Sequence, residues 1–394
     1  MILFTVFVDL VGFGVVIPLL PFYTQVLGGG PAVLGLLIAS FFLAQFLAAP
    51  VLGRLSDRRG RRPVILGTLV LATGSYALLA VSNSLVLLFA ARILSGIASG
   101  NLSVAQAYIV DRTAPAERAK GMGYIGAAFG VGFAIGPVIG GTLAPFGLAG
   151  PALASMAIAG ANLLLALAFL PESLSSEPGA RGGVARPRGG RIADAFRRPT
   201  IRALLATFFV VNFAFSTVPV AFPSLGIVYF GLGPRELSWI FILIGLISVA
   251  VGTSIGRLAQ RFGEERLVMA GTGAIGLALA ATPLIRDLTA YVGLIALLSF
   301  GVAVANPLVP SLVSKRTARA EQGSILGIAQ SIGSLGRIPG PTIAGVLFQS
   351  VGVAAPFLFA SLLMAIGFGL SVQVYRESHA NAVPGPRPQM EPDP

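Results

Sequence analysis

Stretches of about twenty apolar residues recur twelve times along this chain, and that recurrence limits the possible folds more than any single motif. A bilayer core of roughly 30 Å takes about 20 such residues to cross as a helix. The sequence predicts spans at 2–27, 33–52, 64–82, 85–109, 119–146, 150–170, 201–230, 237–259, 267–285, 289–314, 323–350 and 353–374. With 55% hydrophobic and 11% charged residues and a mean hydropathy of +0.87, a soluble globule could not cover its surface with polar groups. Lipid offers the backbone no hydrogen bonds, so the spans must be helices and the fold class is an all-α membrane protein. The first span has no basic n-region, contains Asp9 and is too long for a signal-peptide core, so it is expected to remain in the mature protein.

The net charge of +12 would suggest nucleic acid in a soluble protein, but its distribution points to membrane orientation instead. Twenty-three Lys and Arg residues fall in the even-numbered connections, the central loop and the tail, against Arg235 and Arg286 on the other face. The positive-inside rule then places both termini in the cytoplasm, as expected of an inner-membrane protein. No nucleic-acid partner is expected. Without cysteine there is no disulfide or thiolate chemistry, and the single histidine, His379, makes no metal cluster. No cofactor is expected.

Residues 171–200 interrupt the apolar pattern with Gly, Pro and Arg and read as a cytoplasmic linker. It separates a six-helix bundle at 1–170 from a second at 201–376, followed by a disordered cytoplasmic tail at 377–394. Internal repetition supports the division. The segment Gly53-Arg54-Leu55-Ser56-Asp57-Arg58-Arg59-Gly60 matches Gly256-Arg257-Leu258-Ala259-Gln260-Arg261-Phe262-Gly263 at an offset of 203, and Gly136-Pro137-Val138-Ile139-Gly140-Gly141 matches Gly340-Pro341-Thr342-Ile343-Ala344-Gly345 at 204. Parallel repeats of this kind place a substrate chamber near the bilayer midplane, reached alternately from each side as the halves rock. Asp9 aligns with Asn212 and Asp57 with Gln260, so the first half keeps acids where the second has amides, and ion coupling is expected in the first half.

Three ionisable residues within spans carry the chemistry. Asp9 lies about 10 Å into the membrane from the cytoplasmic side, at a rise of about 1.5 Å per residue. Intramembrane acids commonly mark ion or proton pathways. Desolvation favours the neutral form and a nearby cation the charged one, a balance that can poise Asp9 for reversible protonation. The alternative is a protonated Asp9 that staples two helices. Arg92 enters span four from outside to a depth of about 10–12 Å. The two depths do not coincide, so a direct bond to Asp9 does not follow. Arg337, deep in span eleven, has two readings: an anion-binding group for substrate, or a brace for the Gly-Pro bend beside it.

Four segments resemble the major facilitator superfamily, and within it the drug:proton antiporters with twelve spans, which include tetracycline and bacterial multidrug exporters. They are DLVGFGVVIPLLP from Asp9, GRLSDRRGRRP from Gly53, RILSGIASG from Arg92 and GVGFAIGPVIGG from Gly130, with LPES closing span six as a weaker match. The resemblance implies two six-helix bundles. It further implies a cytoplasmic gate of Gly53, Asp57, Arg58, Gly60, Arg61, Arg62 and Asp111. In that gate Asp57 would face the start of span eleven near Gly323, and Asp111 would pair with the loop arginines, as a latch that breaks on opening. It implies proton movement assisted by Arg92, and an antiporter-like bend or close helix packing at Gly132, Gly136, Pro137, Gly140 and Gly141, for which packing alone is the alternative.

The expected function is proton-coupled export of an amphiphilic, drug-like molecule, with Asp9 as the exchange site and protons, a small-molecule substrate and membrane lipid as partners of a monomer. Asn212, Phe215, Trp239, Gln330 and Arg337 are the candidates for the substrate cavity. The second half departs from the tetracycline exporters in having no acid or histidine within a span, which implies a different or broader substrate range. Export of a sugar, amino acid or other metabolite is the alternative on the same scaffold, and a membrane receptor or assembly factor without transport is the alternative from another class. No Walker lysine or catalytic constellation suggests an enzyme.

Overall fold

The computed structural model describes residues 2–112, 118–147, 149–173, 197–317 and 322–380, and among them all regular structure is helical. The first six spans are α1 (Ile2–Val16) with α2 (Leu20–Val26), α3 (Pro31–Arg59), α4 (Arg61–Ala80), α5 (Leu85–Ser99) with α6 (Leu102–Arg112), α7 (Arg118–Leu143) and α8 (Ala149–Phe169). The second six are α9 (Pro199–Phe230), α10 (Pro234–Phe262), α11 (Glu264–Ala281), α12 (Leu288–Lys315), α13 (Gln322–Arg337) with α14 (Pro339–Ser350), and α15 (Ala355–Ala380). The chain is thus a twelve-span, two-bundle membrane protein. Residues 174–196 of the expected linker and 381–394 of the expected tail lie outside the described residues. The last helix corrects the predicted tail boundary, since α15 continues through Ser378 to Ala380. Its final turn is held by Ser378 Oγ donating to the Val374 carbonyl at 2.9 Å and by Thr200 donating to Glu377 at 2.5 Å.

Proline opens α3, α9, α10 and α14 at the first helical position, where its fixed φ fits and its missing N–H would be unpaired anyway. Ser84 caps α5 by accepting from the Leu87 N–H, and Asp287 caps α12 by accepting from Ala290. Three spans predicted as continuous helices are broken. Span one passes through a tight 3-10 turn at Ile17–Leu19, span four turns at Gly100 and Asn101, and span eleven turns at Ile338 ahead of Pro339. Such breaks survive at membrane depth only where protein or water meets the freed backbone groups.

The halves close on one another at the end opposite the basic loops, through glycines. Gly345 of α14 lies directly against the Pro31 carbonyl at the start of α3, and Gly35 of α3 against the Pro341 carbonyl. Ala32 N–H donates to Gln349 Oε1 at 3.1 Å across the same seam. Its counterpart is formed by α7 and α10, where a Cβ on Gly141 would stand 2.6 Å from Ser238 Cβ and one on Gly245 2.6 Å from Ala134 Cα. Pro31 and Pro234 are one repeat apart, as are Gly141 and Gly345, so the seal obeys the pseudo-twofold symmetry. Only hydrogen at these positions lets the backbones approach so closely.

Candidate functional site

The break in span four positions Asn101 to face α1, where its Nδ2 donates to Asp9 Oδ2 at 2.8 Å. Asn162 of α8 is the second amide beside Asp9; it donates to the Thr5 carbonyl at 3.2 Å and keeps a buried Oδ1 with no partner. Tyr76 of α4 packs its hydroxyl on Gly12 and lies within electrostatic range of both Asp9 and Arg92. Arg92 is 1% exposed. It lies over the Phe41 ring at 4.5 Å and the Phe13 ring at 5.9 Å, and its Nε and Nη2 are buried without a hydrogen-bond partner. The two rings supply cation–π attraction in place of a counter-ion. Asp9 and Arg92 therefore flank Tyr76 in one polar cluster, and among the described residues no hydrogen bond or ion pair joins them directly.

A related arrangement occupies the second half. Asn212 Nδ2 approaches Asn306 Oδ1 at 3.4 Å and donates to the Phe208 carbonyl at 2.9 Å. Asn212 aligns with Asp9, and Asn306 stands 205 residues after Asn101, so each bundle joins its first and fourth spans through a polar pair. The difference is the charge. The second half adds a cation, since Arg337 ends α13 at the break and donates Nε–H to Asn212 Oδ1 at 2.9 Å. Phe215 is half-buried against the core of this bundle. Gln330 is exposed on α13. Trp239 is 61% exposed on a stripe of α10 that it shares with Leu246, while its neighbours Ser238 and Phe241 are buried.

At the basic end, Arg61 gathers the first half. Its guanidinium lies 2.6 Å from Asp57 Oδ1 and 3.0 Å from Asp111 Oδ2, and Nη1 donates to Ser56 Oγ at 2.7 Å. Glu172, from the LPES segment, accepts from the Arg61 and Arg62 backbone N–H groups at 2.9 and 3.1 Å and so caps α4. Gly60 has φ +101°, and a Cβ there would stand 2.5 Å from Glu172 Oε2. This position needs glycine twice over, for its conformation and for the carboxylate. Arg62 Nη2 donates to the Leu167 carbonyl, whereas Arg58 is exposed and joins none of these bonds among the described residues. Gly53 faces open space. The predicted contact of Asp57 with the start of span eleven at Gly323 falls outside the described side chains.

The same end of the second half holds Glu264 with Lys315 at 3.0 Å and Glu265 with Arg316 at 3.1 Å. Among the described residues no ion pair bridges the two halves at this end. Sequence reading missed Asn101, Asn162, Tyr76, Glu172 and Asn306. A signal existed for two of them, because Glu172-Ser173 recurs as Glu377-Ser378 and Asn101 as Asn306, both at an offset of 205.

The predicted antiporter-like glycines have two packing duties. Gly132, Gly136 and Gly140 press against Leu10, Gly14 and Val15 of α1, while Gly130 and Gly141 meet Val249 and Ser238 of the other bundle. Pro137 lies inside α7, its ring beside Gly14.

Twelve spans in two repeated bundles, sealed at one end and carrying polar clusters at their helix breaks, define a multi-pass membrane transporter and not an enzyme. The chain belongs to the Major Facilitator Superfamily, whose signature it matches over residues 2–341 and 220–391. It is 36% identical over 370 residues to the class C tetracycline resistance protein of Escherichia coli, covering 89% of each chain. It is 30% identical over 390 residues to multidrug resistance protein 2 of Bacillus subtilis strain 168, covering 97% of this chain and 96% of that one. The crystal structure of the human organic anion transporter MFSD10 superposes with a TM-score of 0.71 at 28% identity, over 94% of this chain and 97% of that one.

Proposed function

We propose that this transporter exports amphiphilic small molecules from the cytoplasm in exchange for protons, by alternating access between its two bundles. The observation that carries the reading is Asp9, an intramembrane carboxylate held by Asn101 at the break of span four. An amide neutralises no charge, so the carboxylate keeps both a proton-loaded and a proton-free form within reach. A proton arriving from outside would neutralise Asp9 and release a cationic or polar substrate group; loss of the proton toward the cytoplasm would restore binding. The names of the bacterial relatives, tetracycline and multidrug resistance, support export.

In this reading the protein is a monomer in a bacterial inner membrane, with its basic end and both termini in the cytoplasm. Residues 1–170 and 201–376 are the rocking bodies and 171–200 their tether. The glycine seam is the closed outer gate of an inward-facing state. The Arg61 network, with Asp57 and Asp111, is the inner gate waiting to meet the second bundle, and Arg92 helps the proton to Asp9.

The test is pH-gradient-driven flux in proteoliposomes for wild type and Asp9→Asn. Loss of driven flux with retained substrate exchange is expected. Gradient-driven flux in Asp9→Asn would remove Asp9 from coupling, and absence of flux for every compound in wild type would favour a receptor or assembly factor.

A further inference from the structure

Arg337 is the one basic residue deep within a predicted second-half span, Arg202 and Arg257 lying at span ends, and no acidic residue lies within any of those predicted spans. Among the described residues its single hydrogen bond is from Nε to Asn212 Oδ1 at 2.9 Å. Asn212 is 0% exposed and fixed in turn by Phe208 and Asn306, so one edge of the guanidinium is pinned. The two Nη groups remain without a partner among the described residues, as a planar fork shaped for a carboxylate. Arg337 is also not isolated on its helix. Gln330, Ser334 and Arg337 follow helical spacing, with Ser331 alongside, and form a partly exposed polar stripe. The adjoining side of α13 packs Gly333 and Gly336 on Phe208, Phe209 and Asn212. A stripe of this polarity against lipid tails would be costly, and α13 is an element of the second bundle that touches α3 of the first. The stripe therefore lines the space between the bundles.

We infer that Arg337 is the binding group for a carboxylate or similar oxyanion of the transported molecule, and that the preferred substrates are zwitterionic amphiphiles. The inference rests on the proposed exchange at Asp9. Asp9 and Asn212 are equivalent positions of the repeat, so an acid in one half and the Arg337 cation in the other offer opposite charges to one molecule. An amine at Asp9 competes with the proton, which antiport requires. An anion alone would bind better once Asp9 is protonated, which favours co-transport, so the cationic group is needed as well.

Three probes with one fluorophore separate the charges: Nε-dansyl-lysine, a zwitterion; its methyl ester, a cation; and its Nα-acetyl derivative, an anion. Binding to the purified full chain is read by dansyl fluorescence. In wild type the zwitterion is expected to bind at least about tenfold more tightly than the ester. That ratio should fall close to one in Arg337→Gln and be partly retained in Arg337→Lys, which keeps the charge without the fork. The same ratio in Arg337→Gln as in wild type, equal binding of acid and ester by wild type, or no binding of any probe overturns the inference. The wild-type comparison stands even if Arg337→Gln fails to fold. Binding with discrimination but no flux of any probe would instead count against the transport reading.

Discussion

Arg61 Nε lies 3.0 Å from Asp111 Oδ2 in the first bundle, and the same two positions of the second bundle carry Glu264 and Lys315, again 3.0 Å apart with the charges exchanged. The repeat has kept the ion pair and inverted its polarity. Asp57, which stands one turn before Arg61, corresponds to the neutral Gln260 one turn before Glu264.

That relationship predicts which charge exchange the first bundle tolerates. Arg61→Glu alone should lower stability by about 2 kcal/mol or more, because Asp57 and Asp111 lose their shared cation; the pair is only partly buried, so the cost falls short of a fully buried one. Adding Asp111→Lys should rescue little while Asp57 still faces the new acid. The triple change Arg61→Glu, Asp111→Lys, Asp57→Gln reproduces the second bundle's pattern and should recover most of the loss. Thermal melts of the purified variants measure this, and full rescue by the double change would show that Asp57 does not matter to the pair.

Two glycines of the Gly53–Pro63 segment should behave oppositely. Gly60→Ala meets both an unfavourable φ and the Glu172 carboxylate, and should cost about 1–3 kcal/mol. Gly53→Ala lies within α3 in open space and should be stabilising by about 0.4–1 kcal/mol. Melting temperatures of the two variants side by side decide the matter.

The glycine seam predicts a conformational trap. Gly345→Val would drive a side chain into the Pro31 carbonyl and keep the outer ends apart. The chain has no cysteine, so Ala32→Cys with Gln349→Cys gives a clean pair for a short bismaleimide. Efficient cross-linking of that pair should disappear when Gly345→Val is added, along with flux. Undiminished cross-linking would show that the seam tolerates the side chain.

Charge balance predicts the driving force. One proton exchanged for a zwitterion moves one net charge, so an inside-negative potential should add about 2.3 kcal/mol per 100 mV to export of Nε-dansyl-lysine. Exchange for its cationic methyl ester moves no net charge and should respond only to the pH gradient. Valinomycin-clamped proteoliposomes at fixed pH measure both, and an equal response to voltage would rule out one-for-one exchange.

The sequence by itself determined the twelve spans and the division into two repeats, because apolar length and backbone satisfaction in lipid leave a chain little choice. It also marked Asp9, Arg92 and Arg337, since a charge within an apolar run stands out whatever the fold. The tertiary structure alone decided their partners. Asn101, Asn162 and Asn306 carry no charge to mark them in an apolar run, and only the crossing of spans brings them to Asp9 and Asn212. Glu172 looked like the end of a helix and proved to be the cap of another, more than a hundred residues earlier in the chain. The physical reason is common to all of these. Hydrophobic length is a local property that a linear sequence records, whereas the direction of a side chain depends on the rotation of its helix and on breaks such as those at Asn101 and Ile338, which packing against other helices sets.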